Sequence, residues 1–220
     1  MEIIKTCIDW LDVKNKCRAT VNKGDSTVEA TDEFKRKLLL SEHSPIRLLR
    51  ISWRWYSIKY WLSTEFSRHH IGWEKWISTQ RDDRTHVNRN SSLQDTPVTM
   101  CVEANAQALI NVSRLRLCHC AHQEARQKME ELKQELHKTQ PEIANVMQKN
   151  CVYRCGCPEF SPCGWWDGFV KRHPEVNMCD IQERYNAAND EFHGGTEFTI
   201  PKEIDKVNVI CTPLGLVGGN

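Results

Sequence analysis

The sequence predicts an α+β fold, on three observations. Ile51, Trp53 and Trp55 alternate with Ser52, Arg54 and Tyr56, which is the period of a half-buried strand. Near the start, Ile3, Ile4, Cys7, Ile8, Leu11 and Val13 interleave with charged residues and suggest a second strand. Ala125, Met129, Leu132 and Leu136 recur at three- and four-residue steps, the stripe of an amphipathic helix.

Taken in order, Lys23-Gly24-Asp25-Ser26 marks a turn after the first strand. Thr31 caps a helix over 32–40 that carries Phe34, Leu38 and Leu39 on one side. Residues 48–56 form the alternating strand, with Arg50 and Arg54 facing away from its apolar side, toward solvent or another subunit. That basic and aromatic alternation would also suit single-stranded nucleic acid, although the stretch is short and the chain near neutral. A helix follows over 57–67, then a polar, loop-like region over 79–99. Helices over 103–116 and 120–137 come next, the second ended by Gln140-Pro141. Beyond Gly164 the chain reads as loop-rich, with one strand over 207–211.

The chain has 220 residues, enough for one substantial domain or a domain with an appendage. We divide it into residues 1–150 and a Cys-rich metal-binding segment with its extension, residues 151–220. Thirty basic against 29 acidic side chains leave a net charge of +1. That balance provides no field steering the protein to nucleic acid or a membrane. No apolar run approaches the roughly 18 residues a membrane span needs, and the first residues do not read as a signal peptide. Eleven cysteines, an odd count, fit reduced thiols and a metal site in the cytoplasm better than a secreted disulfide framework. Trp53, Trp55, Trp61, Trp73 and Trp76 fall in one stretch, implying a packed centre or an interface whose indole N–H groups need partners.

Four of the cysteines, Cys151, Cys155, Cys157 and Cys163, lie within thirteen residues interrupted by Pro158 and Pro162. That spacing suits a compact structural zinc knuckle, and Gly156 relieves the tight step between the second and third thiols. An iron–sulfur cluster or free thiols are the alternatives. Cys118, His119 and Cys120 form a second group able to supply a replacement ligand.

The most informative stretch is Arg68-His69-His70, then seven residues, then Ser78, followed by Gln80-Arg81-Asp82-Asp83-Arg84. Arginine forks and a loop serine can hold phosphate, and imidazoles can stack on or bond to a flat ring. The plain alternative is a solvated helix end, where the helix dipole favours cations. Upstream stands Ser41-Glu42-His43-Ser44-Pro45-Ile46-Arg47. Downstream are Asn105 and Asn111, Arg116, and Ala121-His122-Gln123-Glu124.

In this order and spacing, over residues 41–138, these segments resemble the flavin-dependent thymidylate synthases (the ThyX family). The family signature is Arg-His-Arg, seven residues, Ser; here His70 stands at the third place, and Lys75-Trp76 and Gln80-Arg81 stand near the family's Asn-Glu and Arg-Tyr. The family's Gln in the Ala-Gln-x-Glu element is replaced by His122. The stretch after Ser78 is also much shorter than usual. The resemblance implies a mixed β-sheet flanked by helices, with the zinc-knuckle-like segment as an addition. It implies a homotetramer, with active sites built from several subunits. It implies reductive methylation of dUMP with FAD, NADPH and methylenetetrahydrofolate.

On that resemblance, His43, Arg68, His69, His70, Asn105 and Asn111 are cofactor-binding candidates, the two asparagines sharing a flavin-facing side of one helix. Ser78, Arg81, Arg84, Arg89 and Arg116 are candidates for the nucleotide, with Arg116 and Arg68 as the catalytic pair. Cations and N–H donors there would stabilise charge developing on the pyrimidine. No cysteine is assigned a nucleophilic role.

Glu65 stands where the family often has a Gln that recognises the base. A carboxylate only accepts hydrogen bonds, so a cytosine-type ring or another one-carbon product is an alternative. Glu65 pairing with Arg68 at helical spacing is the simpler one. A catalytically silent nucleotide-binding scaffold is the reading from outside the enzyme class. The shortness of the chain suits a phage, which would make the compartment the host cytoplasm.

Overall fold

In the computed structural model, which describes residues 1–86 and 88–194, alternation and capping account for most of the elements. Strand β1 (Glu2–Cys7) is followed by α1 (Trp10–Ala19), N-capped by Asp9. Helix α2 (Asp32–Leu40) is capped by Thr31, whose hydroxyl accepts from the Phe34 N–H. A 3-10 turn (Ser44–Leu48) leads into β2 (Arg50–Lys59) and α3 (Tyr60–Ser67). Next come β3 (Trp73–Ile77), the single-turn α4 (Asp82–Thr85), a short 3-10 turn (Arg89–Ser91) and β4 (Pro97–Asn105). The elements that follow among the described residues are all helices: α5 (Ala106–Arg116), α6 (Gln123–Thr139), α7 (Pro141–Val146), α8 (Asn150–Arg154), α9 (Trp165–Arg172) and α10 (Ile181–His193).

The four described strands form one sheet in the order β1-β2-β4-β3, and every neighbouring pair is antiparallel. The expected mixed sheet is thus corrected among the described residues. The strand before α5 went unread: Val98, Met100, Val102 and Ala104 are buried at alternate positions of β4, in a stretch taken partly as loop and partly as helix. Asn105 ends that strand and caps α5, accepting from the Ala108 N–H at 2.9 Å. The helix therefore starts at Ala106 rather than 103. Likewise β2 runs on to Lys59, through a register shift after Trp55 where Ser57 takes a positive φ of 51°. That irregularity hid the end of the strand inside an expected helix over 57–67.

One face of the sheet is covered. Ile51, Trp53, Trp55, Trp73 and Met100 are wholly buried, and they pack with Leu62 and Phe66 of α3, Leu109 of α5 and Met129 and Leu132 of α6. Trp53 meets Trp55 and Trp73 edge-on at 5.4 and 5.2 Å, and Phe66 stacks with Trp73 at 6.2 Å. The indole N–H groups of these three tryptophans find no hydrogen-bond acceptor among the described residues; their neighbours are one another's rings. The other face is open: Arg50, Tyr56 and Trp76 are exposed and Ser52, Arg54, Cys101 and Glu103 half-buried. A sheet with helices on one face only is the two-layer α+β arrangement.

The region after Gly164, read as loop, carries α9 and α10. Trp165, Phe169, Tyr185, Ala187 and Ala188 join the same core as the sheet. Arg184, only 4 % exposed, ties α10 to the turn of α8 by donating to the carbonyls of Val152, Tyr153 and Met178. Buried Lys133 of α6 donates to Met147 O at 2.9 Å and to Asn189 Oδ1 of α10 at 2.8 Å. The strand expected over 207–211 lies outside the described residues. Among the described residues no helix is long and apolar enough to cross a membrane.

Candidate functional site

Helix α3 ends at Ser67, and the next five residues turn along the flank of α5 before entering β3. This loop, residues 68–72, meets α5 at both of its ends. At the far end, Arg116 Nε donates to His69 Nε2 at 3.0 Å. Arg116 Nη1 also pairs with the Glu65 carboxylate, and Nη2 reaches the Glu65 carbonyl at 3.4 Å. At the near end, the Asn105 N–H donates to Gly72 O at 3.0 Å. Gly72 has a φ of +68°, and a Cβ there would lie 2.4 Å from Asn105 Nδ2, so only glycine fits the approach. Eleven positions separate Asn105 from Arg116, about 16 Å of helix, so the loop is held near both ends of α5, with the long Arg116 and His69 side chains bridging part of that length.

The contact with Arg116 sets the state of His69. A guanidinium has donors only, so the imidazole Nε2 must present its lone pair and the ring proton resides on Nδ1. Burial, then the positive charges of Arg116, Lys75 and His70, push the His69 pKa down to about 4. His69 is therefore neutral at physiological pH. Lys75 Nζ fixes its carbonyl at 2.8 Å, and the ring meets Trp73 edge-on at 5.8 Å. Burial also lowers the pKa of Arg116, an effect the Glu65 carboxylate opposes and Arg68 adds to. The result is a half-buried acceptor–donor array in which carboxylate, guanidinium and imidazole lie side by side.

The structure brings together Glu65, His69 and Arg116, with Arg68 close enough to act on Arg116. Glu65 thus pairs with a residue 51 positions away, rather than simply with Arg68 one turn on. His70 is exposed, its Nδ1 3.0 Å from Arg68 O. His43 is exposed before the first 3-10 turn. The two asparagines do not share a side. Asn105 stands before the helix with an extended backbone, its side chain capping the first turn against Gly72. Asn111 Oδ1 instead takes bonds from Gln107 and Arg114, both at 3.3 Å, and these two also hold the Glu42 carboxylate.

The loop arginines are partnered within their own turn. Arg81 forms a bidentate pair with Asp83 at 2.9 and 2.8 Å, and Arg84 lies 3.6 Å from the same carboxylate. For Arg89 it is the backbone N–H, not the guanidinium, that donates to Asp82 Oδ1, at 3.0 Å. Ser78 Oγ accepts from the Thr99 N–H at 3.0 Å, continuing the β3–β4 ladder by one residue. His122, in place of the family's Gln, N-caps α6 and lies edge-on to Trp61, while Glu124 pairs with Lys59 at 2.7 Å.

The four-cysteine run is not gathered as expected. Among the described residues no three His, Cys, Asp or Glu side chains stand at metal-ligating geometry. Cys155 takes a left-handed conformation (φ 55°) at the end of α8, and its thiol donates to Met178 O at 3.0 Å. Sequence reasoning gave no role to Gly72 or Glu42, and it placed Trp73 and Lys75 only as a packed aromatic and a departure from the family pattern. Only Gly72 carried a signal, as a glycine inside the signature spacing.

No protein-family model matches the chain, and no curated protein matches it. Solved structures do match by fold. One is the UMP/dUMP methylase PolB from Streptomyces cacaoi bound with 5-Br dUMP, with a TM-score of 0.54 at 14 % identity, over 66 % of this chain and 92 % of that one. Another is the flavin-dependent thymidylate synthase ThyX from Helicobacter pylori complexed with FAD and dUMP, with a TM-score of 0.53 at 11 % identity, over 67 % of this chain and all of that one. The chain therefore has a ThyX-like fold.

Proposed function

We propose that this protein is a flavin-dependent, thymidylate synthase-like enzyme that methylates dUMP reductively, using methylenetetrahydrofolate and NADPH. One observation carries the reading: Glu65, His69 and Arg116, singled out from the signature and its spacing, converge on one half-buried site in a ThyX-like fold. Both neighbouring structures hold a dUMP-type ligand, and one holds FAD.

The residues fit these ligands. Arg116 would face the pyrimidine, its charge stabilising the electron density the ring gains on reduction. His69, with its free N–H on Nδ1, and Arg68 and His70 on the exposed side of the loop would hold the flavin with Asn105. His43 and Asn111 are the outer candidates. Ser78, Arg81, Arg84 and Arg89 would contact phosphate, Arg81 and Arg84 by exchanging Asp83 for it. Bound flavin would supply the hydride chemistry; the protein orients the ring, polarises it and excludes water. The tetramer implied by the family would place the open sheet face in subunit contacts.

The test is a visible titration of the purified protein with FAD and then dUMP. A flavin band that shifts on nucleotide addition supports the reading; a folded protein that binds no flavin sinks it and leaves a silent nucleotide-binding scaffold. A second reading, one-carbon transfer to another pyrimidine nucleotide, is favoured by Glu65, whose carboxylate already occupies Arg116 and can accept from an exocyclic amino group. Competition between dUMP, UMP and dCMP in the same titration separates the two.

A further inference from the structure

A cavity of about 330 Å³ lies between α2, α7 and α10, and none of the flavin or nucleotide candidates lines it. Its volume is at the small end of the range for sites that hold organic ligands. Leu40 and the buried Val146 and Tyr185 give it an apolar side. Side-chain amides give it a polar side. Asn189 is fully engaged: its Oδ1 accepts from Lys133 at 2.8 Å and from Gln148 at 2.7 Å, and its Nδ2 donates to Asn145 O at 3.0 Å. That network ties α10 to α6 and α7, so the cavity is preformed. The other amides have bonding capacity left. Gln182 Nε2 donates to Asn186 Oδ1 at 2.8 Å, which leaves Gln182 Oε1 as an acceptor and Asn186 Nδ2 as a donor. The Asn145 side chain makes no hydrogen bond among the described residues and offers both kinds of group. Charge is balanced at the rim. The Asp32 and Glu142 carboxylates are both held by Lys35, at 3.1 and 3.0 Å, and Arg36 supplies the second cation.

We propose that this cavity binds an adenine nucleoside, the base held by Asn145, Gln182 and Asn186 and the ribose hydroxyls by Arg36. The hydrogen-bonding pattern selects the ligand. An amide sets a donor beside an acceptor, the arrangement that pairs with the N6 and N7 edge of adenine. Adenine repeats that donor-beside-acceptor pattern at N6 and N1, and the cavity has two amide sources for it, Asn145 and the linked Gln182 and Asn186. The flat face of the ring would cover Leu40, Val146 and Tyr185. A purely apolar ligand would leave the three amides without partners, and a sugar would leave the apolar side uncovered. The balanced rim selects against a phosphate: two acids beside two bases supply no surplus cation for a dianion. In this the cavity differs from the candidate nucleotide site, where arginines and Ser78 stand for the phosphate. The inference does not rest on the proposed reaction.

The test is isothermal titration of the full chain, without flavin, using adenosine, AMP, ribose and dUMP. Adenosine is expected to bind at one site per chain and to raise the thermal midpoint by linkage. AMP should bind within about threefold of adenosine, and ribose far more weakly. Asn145→Leu, which removes the free amide and fills the space, should weaken adenosine binding at least about tenfold. If that variant does not fold, Asn186→Leu, at an exposed position of α10, is read in its place. Arg116→Ala should leave adenosine binding unchanged, which separates this site from the nucleotide site whether or not the protein proves to bind flavin. A folded chain that shows neither heat nor stabilisation at millimolar adenosine would overturn the assignment. So would unchanged binding in the folded leucine variants, displacement of adenosine by dUMP, or AMP binding more than about tenfold tighter than adenosine.

Discussion

Replacing Gly72 by alanine perturbs the point where the signature loop meets α5. Two costs follow from the geometry. The residue sits at φ +68°, where a Cβ costs about 1–2 kcal/mol. The new Cβ would also stand 2.4 Å from Asn105 Nδ2 and 2.9 Å from its Cγ, so the asparagine must swing away. Asn105 caps α5, and a lost cap costs about 1 kcal/mol. The expected destabilisation of Gly72→Ala is therefore about 2–3 kcal/mol.

A double-mutant cycle separates the parts. Asn105→Ala alone should cost about 1 kcal/mol, and added to Gly72→Ala almost nothing more, because the cap is already lost. Urea unfolding at fixed protein concentration reads all four proteins. A Gly72→Ala protein within about 0.5 kcal/mol of wild type, or strict additivity in the cycle, would refute the contact and the cap together. If Asn105 also holds flavin, Gly72→Ala should weaken FAD binding in the same titration.

Other outcomes follow from the site and the core. Arg116→Ala is expected to lower dUMP affinity and turnover at least about tenfold, the loss of one charge-assisted contact, and unchanged values in a binding and turnover assay would remove Arg116 from the substrate site. Arg116 and Glu65 are 15 % and 19 % exposed, between the surface and buried regimes, so Glu65→Gln should cost about 1–3 kcal/mol in denaturant unfolding. His69 takes up its proton near pH 6.5 when unfolded but only near pH 4 when folded. Its contribution is thus complete above the first value and is lost as pH falls toward the second, by up to about 3 kcal/mol; His69→Gln should flatten that part of the stability–pH profile. Arg184→Met takes the guanidinium from the Val152 and Tyr153 carbonyls, and from Met178 O, which keeps only the Cys155 thiol; it should cost about 2–3 kcal/mol, measured by the shift in denaturation midpoint.

Much of the layout was legible because it rests on local chemistry. Alternating Ile51, Trp53 and Trp55 announce a strand whichever partner it finds, and Thr31 caps α2 by its own hydroxyl. The α6 stripe of Ala125, Met129, Leu132 and Leu136 is wholly buried, as its period required. Where local patterns competed, the reading failed. The alternation of Val98 to Ala104 runs directly into a helix, and the boundary became visible only with the Asn105 cap. Helices α9 and α10 have short apolar faces; α10 is held by Arg184 and Lys133, whose partners come from distant segments, and α9 by the Arg172–Glu191 pair.

By itself, the sequence determined the α+β class, the site's residue types and the spacing that brings Glu65, His69 and Arg116 into consideration. Only the tertiary structure decided that these three touch, that Asn105 caps α5 while Asn111 bonds Gln107 and Arg114, and that Cys155 turns to the Met178 carbonyl. The physical reason is range. Periodicity and capping act within a few residues and are written in the local chain. Charge pairing across 51 residues and a neutral histidine arise only when packing brings distant side chains out of water together.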